Sequence, residues 1–516
     1  MYNNLHMLLG PPGTGKTTRL LKIVEETLKA GTPANRIAFV SFTKKATEEA
    51  RDRAVQTLGL GRNQFQWFRT LHSFAFRCLG MTRNEVLDKN HYREIGALIG
   101  VPMSGYTNFE DDEDAGKAHE GDSMLFVINL ARIMEVPLDY AFDKYNNDER
   151  IDFAETKQLA ATIDDYKRKH GMCDYCDMIA RFALSDDPYI PSLHTLIVDE
   201  AQDLSRLQWR MVRKLYKAAE VSYLAGDDDQ AIYEWAGASV DDFIRVGREA
   251  ETCEVLDKSY RLPRAVYERG LDIIDNVEER LPKDWTPREE QGYVETYPDL
   301  SHVDMGPKTG SWLVLVRNNF LIPTAVQFLR ESGLPYQTRR WSPVTCENLK
   351  AIRMWERLRK GGSLTLEEVK EVYGKMPPRR EFVDPKRRNL KGADPDGQFT
   401  LAVLREHHGL NTERVWYEAL MKIHDEEREY YRAVLKGGEP LNKPPRITVS
   451  SIHGAKGGEA DNVLVMPDVS YRTYDGIRTN ADCEHRVFYV AATRAKHALH
   501  IIQPQTDRFY EPILDG

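Results

Sequence analysis

The stretch that decides the fold is LHMLLGPPGTGKTTRLLKIVEE, residues 5–26 of a chain of 516 residues. Its apolar first part is typical of a short buried strand, and it leads directly into GPPGTGKT, residues 10–17. A helical pattern follows at once, so the motif G-x-x-x-x-G-K-[ST] stands in the strand–loop–helix context that it requires. The sequence therefore predicts a P-loop, which binds the phosphate groups of a nucleoside triphosphate.

Each residue of this loop has a predicted task. Gly10, Gly13 and Gly15 let backbone N–H groups close around a phosphate chain at the start of a helix, where unpaired donors favour anions. Lys16 is expected to reach the β- and γ-phosphates. The hydroxyl of Thr17 is expected to bind Mg²⁺.

A second predicted strand supplies the carboxylate that such a site needs. The run LHTLIVDEAQD, residues 193–203, contains an apolar strand that ends in Asp199 and Glu200. Asp199 is placed to hold Mg²⁺, and Glu200 can take a proton from an attacking water as a general base. A P-loop alone fits a kinase, a GTPase or a motor, but the adjacent acid favours hydrolysis over phosphoryl transfer to a metabolite.

Composition is that of a globular protein with several domains. The length suggests about three to four domains, and 41% hydrophobic with 29% charged residues is ordinary for such chains. There is no signal-peptide pattern and no apolar run of about 18 residues, so a cytoplasmic location without membrane contact is expected. The net charge of −9 disfavours coating of nucleic acid through bulk charge but leaves room for a narrow basic groove.

The run AGDDDQAIYEW, residues 225–235, raises a separate question because three aspartates follow a predicted buried strand. They could orient water near Mg²⁺ or cap the turn, whereas a metal cage of their own would duplicate a site already filled. Gln230 can donate to a phosphate oxygen through a neutral amide. Trp235 offers a flat face to a base, and Tyr233 either assists it or belongs to the core.

The order of the motifs resembles the UvrD/Rep family of superfamily 1 DNA helicases, in nine blocks that span nearly the whole chain. These blocks are GPPGTGKT (10–17), SFTKKATEEARDR (41–53), RTLHSF (69–74), VDEAQDLSRLQ (198–208), AGDDDQAIYEWAGAS (225–239), LDKSYRL (256–262), LVLVRNN (313–319), ITVSSIHGAKGGEADNVLVMPD (447–468) and EHRVFYVAATRAK (484–496).

The resemblance implies an α/β fold with two RecA-like P-loop NTPase core domains, each a parallel sheet flanked by helices. Each core is expected to carry a mainly helical or mixed inserted domain, with ATP between the cores and single-stranded DNA across both. The expected boundaries are 1–80 and 176–258 for the first core, 81–175 for its insert, 259–340 and 446–516 for the second core, and 341–445 for its reduced insert.

The resemblance also assigns roles around ATP. Gln230 matches the γ-phosphate sensor, and Arg261 and Arg494 match the arginines that reach the phosphates, so that they join Lys16 and Glu200 as catalytic residues. Further positions expected at the cofactor are Tyr260 at the adenine, Glu459 near the ribose and Thr18 in the P-loop. Only nine residues precede Gly10 in this sequence, so we expect it to lack the upstream glutamine segment by which the family reads adenine, and adenine selectivity stays open.

Six residues are candidate DNA contacts: Phe42, Thr43, Thr70, His72, Tyr233 and Trp235. An aromatic can stack on a base, and the start of a helix suits a phosphate. The alternatives are a buried phenylalanine, a solvated basic helix face, and a histidine whose role is structural.

The predicted function is an Mg·ATP-dependent helicase or translocase that moves 3′→5′ on single-stranded DNA and opens duplex. Its expected partners are single strands and their junctions with duplex, with replication or repair proteins as candidates, and a monomer is expected. The alternatives are a 5′→3′ or RNA-directed helicase, a translocase that strips proteins, and an ATP-gated binding switch. Intact Glu200, Arg261 and Arg494 argue against the switch.

Three other segments have no settled role in this function. CDYC, residues 173–176, has the spacing of half a zinc site but lacks a second pair, so metal binding is disfavoured. The acidic stretch 109–122 is typical of a solvated loop. The basic stretch 377–391 fits a patch that faces duplex as well as a solvated face.

Overall fold

The computed structural model describes residues 2–41, 44–105, 119–146, 148–388 and 390–514. Its first six strands are β1 (Tyr2–Leu9), β2 (Ile37–Ser41), β3 (Phe68–Thr70), β4 (Thr195–Asp199), β5 (Val221–Gly226) and β6 (Ala250–Val255). The remaining strands are β7 (Tyr293–Tyr297), β8 (Trp312–Val316), β9 (Tyr336–Gln337), β10 (Ser363–Leu364), β11 (Phe399–Thr400), β12 (Ile447–Ser451), β13 (Ala460–Met466) and β14 (Ala495–Ile502).

The helices up to the end of the first sheet are α1 (Lys16–Lys29), α2 (Lys44–Leu58), α3 (Leu71–Cys78), α4 (Lys89–Leu98), α5 (Glu120–Met134), α6 (Leu138–Tyr145), α7 (Phe153–His170), α8 (Tyr175–Leu184), α9 (Arg206–Ala218) and α10 (Val240–Glu249). Those that follow are α11 (Arg264–Ile274), α12 (Ile322–Glu331), α13 (Glu347–Arg359), α14 (Leu366–Lys375), α15 (Leu401–His407), α16 (Trp416–Ala419), α17 (Asp425–Lys436), α18 (Tyr471–Thr479) and α19 (Asp482–Ala492).

The first sheet is parallel throughout and has the strand order β3-β2-β4-β5-β1-β6. Every residue of β2 and β4 is buried, as expected for strands that are covered on both faces by helices. Parallel strands bring their carboxyl ends to one edge of the sheet, where α/β folds bind ligands. The loop after β1, the acids after β4 and the aspartates after β5 therefore share that edge.

The second sheet has the order β7-β14-β13-β8-β12-β9 and is also parallel. All five residues of β8 are buried, and β8 pairs with both β12 and β13. Two six-stranded parallel sheets flanked by helices confirm the predicted fold class.

Two sets of helices lie in the segments predicted as inserts. Helices α4 to α7 share an apolar cluster with Met124, Ile128 and Ile163 near its centre. Helices α13 to α17, with the antiparallel pair β10–β11, surround Trp355 and Tyr431 and join the core of the second sheet. The boundaries given above stay predictions.

A short segment after α11 touches both cores, and we call residues 280–285 the strap. Leu281 packs into the apolar core of the first sheet. Four residues later, Trp285 packs into the core of the second sheet and stacks edge-on against Tyr267 at 4.6 Å. The chain thus crosses between the cores at the linker, residues 256–262, and touches the first core again at the strap.

No helix within the described ranges is both long and apolar enough to span a bilayer. Phe42 and Thr43, two of the candidate DNA contacts, fall outside the described residues, as does most of the acidic stretch 109–122.

Candidate active site

The P-loop is shaped by its glycines. Gly13 and Gly15 have φ values of +74° and +81°, in the left-handed region that favours glycine. Gly10 is needed for space, because a Cβ atom there would lie 2.8 Å from Cβ of Lys16. The N–H of Gly10 donates to the carbonyl of Gly226 over 2.9 Å, which ties the loop to the end of β5.

Lys16 lies among carboxylates at the start of α1. Its Nζ is 2.8 Å from Oε1 of Glu200. Burial would lower the pKa of the Lys16 ammonium, but Glu200 and Asp199 raise it above its ordinary value. Burial alone would raise the pKa of the Glu200 carboxyl. The positive charges of Lys16 and Lys456 outweigh this effect and hold the pKa of Glu200 well below its usual range. Glu200 is therefore ionised at neutral pH, as a general base must be.

Glu200 adopts a strained backbone conformation directly after β4. Its φ of +55° lies in the left-handed region, which costs a residue with a side chain about 1 kcal/mol. Its carboxylate is held by Gln202, whose Nε2 donates to Oε2 of Glu200 over 2.6 Å. The other end of the same amide accepts from the N–H of Asp227 at 3.1 Å. One buried glutamine thus joins the ends of β4 and β5, a role that our sequence analysis missed.

The linker lies directly on the P-loop. The N–H of Tyr260 donates to the carbonyl of Gly13 over 2.8 Å, and the hydroxyl of Ser259 donates to the carbonyl of Pro12 over 2.7 Å. A Cβ atom on Gly13 would lie 2.4 Å from Cβ of Arg261, so this position has no room for a side chain. Tyr260 is 71% exposed, so its side chain is accessible to a base.

Two arginines, Arg261 of the linker and Arg494 of the second core, lie at this edge of the first sheet. Nε of Arg261 donates to Glu459 over 2.8 Å, and the ammonium of Lys496 binds the same carboxylate at 2.6 Å. Nη2 of Arg494 donates to Oε1 of Gln230 over 2.7 Å. Gln230 in turn donates through Nε2 to Oδ2 of Asp227 over 2.6 Å. The side chain of Gln230 therefore bridges the first core and the second.

The three aspartates after β5 are buried, not a surface turn. Asp227 caps the turn by accepting from the N–H of Asp229 at 3.3 Å. The ammonium of Lys283, from the strap, lies 3.3, 2.5 and 2.9 Å from carboxylate oxygens of Asp227, Asp228 and Asp229. A protein cation thus fills the group of carboxylates whose oxygens could otherwise have held a metal ion.

Lys456 makes a second contact between the cores that the motif reading did not single out. Its ammonium lies 2.7 Å from both carboxylate oxygens of Asp203 and donates to the carbonyl of Gln230 at 2.8 Å. It also lies over the ring of Tyr233, 4.8 Å from the centroid. A run of acids after an apolar strand is itself a signal for such partners, because buried carboxylates need counter-charges.

The residues at the strand ends fit a nucleotide with its metal. Hydroxyl and carboxylate oxygens, which Thr17 and Asp199 provide, are the donors that Mg²⁺ prefers. Asp199 is 3% exposed and stands level with Ser41 of β2, whose buried hydroxyl has no hydrogen-bond partner among the described residues. When bound there, Mg²⁺ would supply positive charge that offsets the negative charge of the phosphate groups. Thr18, also predicted at the cofactor, is exposed on α1.

Four candidate DNA contacts lie within the described residues. Thr70 caps α3, with its hydroxyl accepting from the N–H of Ser73 at 3.3 Å. Burial lowers the pKa of His72 to about 4, so this imidazole is neutral at physiological pH. Its ring stacks edge-on against Tyr175 at 5.6 Å. The structure therefore places His72 among packed side chains, and its contact with DNA stays a prediction.

Tyr233 and Trp235 are held by different surroundings. Tyr233 is 9% exposed and lies in the core of the second sheet. Trp235 is half-buried between Phe126 of α5, at 6.3 Å, and His453 of the second core, at 5.9 Å. Its Nε1 has no hydrogen-bond partner among the residues that the structure describes. Trp235 thus stands where the first core, its insert and the second core meet.

The cysteines of CDYC do not show the features of a metal site. Burial raises the pKa of Cys173 to about 11 and that of Cys176 to about 12, which disfavours the thiolate form that binds zinc. Asp174 between them caps α8 and pairs with Arg132 at 2.6 Å. This segment is part of the packing of the first insert.

Two family models match the chain. The model described as the UvrD/REP helicase N-terminal domain matches residues 2–251, and the model described as the UvrD-like helicase C-terminal domain matches residues 431–506. Together they cover the P-loop, the ends of β4 and β5, Lys456 and Arg494, whereas the linker and the strap lie between the two matched ranges.

Among the similar proteins is DNA helicase II of Haemophilus influenzae, which is 26% identical over an alignment of 374 residues; the alignment covers 64% of this chain and 49% of that protein. The ATP-dependent DNA helicase PcrA of Staphylococcus aureus is 23% identical over 362 residues, covering 64% and 48%. PcrA of Bacillus subtilis is 25% identical over 318 residues, covering 55% and 39%. The chain spans about half the length of the first curated relatives that it matches.

Proposed function

This chain belongs to the UvrD/Rep helicase family, and from that premise we propose that it is an ATP-dependent DNA helicase or translocase. The observation that supports this most strongly is the bridge through Gln230. Its side chain binds Asp227 of the first core and Arg494 of the second, at the edge that carries the P-loop. A group in that position can report the state of the nucleotide to both cores at once.

In this proposal each core supplies part of the chemistry. Lys16 and the P-loop amides hold the phosphates, and Glu200 takes the proton of the attacking water. Arg261 and Arg494 stabilise the charge that spreads over the transferred phosphoryl group. Because these arginines come from the second core, hydrolysis requires a closed cleft, and opening after hydrolysis converts chemistry into movement. Thr17 and Asp199 would hold Mg²⁺ in the same cleft.

The single strand is proposed to pass over the junction at Trp235. Stacking of a base on this indole contributes about 1–3 kcal/mol. Tyr233 and His453 connect the junction to Lys456, which binds the carbonyl of Gln230. The nucleotide sensor and the proposed strand contact are thus separated by a few packed side chains.

The finer points rest on the family resemblance. We propose 3′→5′ movement of a monomer on single strands and at their junctions with duplex. Replication or repair proteins as partners, and a cytoplasmic location, stay predictions. A protein-stripping translocase without efficient unwinding is the alternative within the same class.

The test is strand displacement with duplexes that carry either a 3′ or a 5′ tail, alongside ATP hydrolysis with and without single-stranded DNA. We expect hydrolysis that DNA stimulates and unwinding from the 3′ tail. Unwinding from the 5′ tail alone would contradict the polarity. A rate of ATP hydrolysis that single-stranded DNA does not change would contradict the proposed motor function. Stimulated hydrolysis without unwinding would favour a translocase that strips proteins from DNA.

A further inference from the structure

The most complete charge cluster outside the nucleotide contacts surrounds Lys283. Its side chain is 0% exposed and meets all three aspartates that follow β5, at 3.3, 2.5 and 2.9 Å. An uncompensated carboxylate in such a place would be strongly disfavoured. The ammonium thus serves the three carboxylates together, as a metal ion would.

Two further groups of the strap complete the cluster. Arg280 binds Asp229 through two donors, at 3.1 and 2.7 Å, in the forked geometry that suits a carboxylate. The N–H of Leu281 donates to Oδ2 of Asp228 over 2.8 Å. The strap therefore binds the end of β5 through a lysine, an arginine and a backbone donor.

This cluster continues into the nucleotide sensor. Asp227, one of the three partners of Lys283, accepts from Nε2 of Gln230 at 2.6 Å. The oxygen of that amide accepts from Arg494 at 2.7 Å. The hydrogen bond to Asp227 fixes which end of the amide faces the arginine, because an ionised carboxylate can only accept.

The chain after the strap leads back to the P-loop. The N–H of Ser259 donates to the carbonyl of Thr286 over 2.9 Å, and the N–H of Thr286 donates to the carbonyl of Asp257 over 2.8 Å. The same Ser259 binds Pro12 of the P-loop through its hydroxyl. Residues 280–286 therefore touch both the sensor loop and the linker that carries Arg261.

We propose that Lys283 is a positioning residue for nucleotide sensing: its ammonium takes the place of a metal ion among three carboxylates and holds the loop of Gln230 in register with Arg494. The inference rests on the function proposed above, since it assigns a structural cause to the sensing role of Gln230. It adds a residue that acts through its neighbours and that touches no phosphate.

The first test is K283Q, which keeps the length of the side chain but removes its charge. Because only the sensor is loosened, kcat for DNA-stimulated hydrolysis should fall by about tenfold or more, while the affinity for ADP changes by less than about twofold. The preference for a non-hydrolysable ATP analogue over ADP should shrink in parallel. Unchanged kcat together with an unchanged preference would overturn the proposal.

A matched control exists in the first insert. Lys167 is also buried and lies 3.0, 3.0 and 2.9 Å from Asp164, Asp174 and Asp177. K167Q removes an equivalent charge far along the chain from the sensor, so it should lower the melting temperature to a similar extent and leave kcat unchanged. An equal loss of kcat in K167Q would mean that the effect of K283Q is one of general stability. Should K283Q not fold, K283Q/D228N removes one charge of each sign and provides the same comparison.

The second test needs no hydrolysis, so it separates this inference from the proposed function. K283A should open the carboxylate cluster to a trivalent probe, and Tb³⁺ luminescence should rise through energy transfer from Tyr489. Burial raises the pKa of the Tyr489 phenol, and the nearby charges of Asp227 and Asp229 raise it further. The phenol is therefore close to the carboxylate cluster. Wild-type protein, and K283A/D228N with one carboxylate fewer, should bind Tb³⁺ at least about tenfold more weakly. Equal binding by all three proteins would overturn the role of the ammonium as a built-in cation.

Discussion

Gly13 shows how a single missing side chain shapes this cleft. Its backbone has φ +74°, and its carbonyl accepts from the N–H of Tyr260. The linker approaches so closely that a Cβ atom would lie 2.4 Å from Cβ of Arg261. Gly13 thus determines both the conformation of the P-loop and the position of Arg261 on the opposite side of the site.

We expect G13A to lower ATP hydrolysis by about 10²-fold, since it displaces Arg261 as well as straining the loop. The matched control is G31A, at φ +96° with no atom within 4 Å of the added Cβ. G31A carries the backbone strain alone, about 1 kcal/mol, and should hydrolyse ATP at the wild-type rate. Steady-state hydrolysis with urea unfolding of both variants makes the comparison. Equal loss of hydrolysis in the two variants would refute the steric argument.

Asp203 gives a pH dependence whose sign follows from burial. Burial, opposed by Lys456, raises the pKa of Asp203 from 3.8 to about 6. The folded protein keeps this proton where the unfolded chain has lost it. The protonated Asp203 therefore contributes its full stabilisation below about pH 3.8 and loses it as the pH rises to about 6. The free energy of unfolding decreases by about 3 kcal/mol over this range.

Urea unfolding of wild type and D203N between pH 4 and 7 tests this, because asparagine does not titrate there. The difference in the free energy of unfolding, wild type minus D203N, should decrease as the pH rises and then become constant above about pH 6. Parallel curves across the range would show that the pKa of Asp203 is not raised.

At the scale of elements, the turn Glu234–Ala236 places Trp235 between α5 and the second core. We expect W235A to retain basal ATP hydrolysis but to lose much of its stimulation by DNA and of its unwinding. Loss of base stacking should weaken binding of single-stranded DNA by about tenfold or more. The control is W341A, which removes an indole that packs at a tilt against Tyr336, with ring centroids 4.8 Å apart. Stimulation that survives in W235A would speak against the proposed path of the strand.

The elements around the nucleotide were predictable because they follow a local rule. Each of these strands can be identified from its apolar run: β1 leads into the P-loop, β4 ends in Asp199, and β5 is followed four residues later by Gln230. Parallel strands bring those ends to one edge of the sheet. The family resemblance added Arg261 and Arg494, which periodicity alone could not place.

The charged contacts between the cores were not predictable in this way. Lys283 and Lys456 lie 55 and 253 residues from the carboxylates that they bind. No spacing rule connects such positions, and ERLPKDW, residues 279–285, resembles an ordinary polar turn. Only the folded chain shows that this segment touches both cores.

At the scale of the whole molecule, every group proposed for hydrolysis comes from one chain. Lys16 and Glu200 meet over 2.8 Å in the first core, and the second core of the same molecule supplies the arginines. We therefore expect a single chain to hydrolyse ATP without a residue from a neighbouring subunit.

K16A should therefore hydrolyse ATP about 10²–10³-fold more slowly than wild type. It should not inhibit the wild-type protein when the two are mixed. When DNA is in excess, an excess of K16A should leave the rate of ATP hydrolysis per wild-type molecule unchanged. The matched control is an excess of K22A, whose lysine is exposed on the same helix and which should also leave that rate unchanged. K22A alone should hydrolyse ATP normally. A rate that falls with the fraction of K16A would show that active sites are shared between molecules.

The strap also decides how this protein can be taken apart. A fragment that ended at the linker would keep the first sheet but lose Leu281 from its apolar core, together with the cations that neutralise three buried aspartates. We therefore expect a fragment that ends at residue 258 to be less stable than one that ends after residue 286, which urea unfolding of the two fragments would show. Split versions for fragment complementation should be cut after residue 286 or within an insert, and chimaeras with relatives should exchange the strap together with the end of β5.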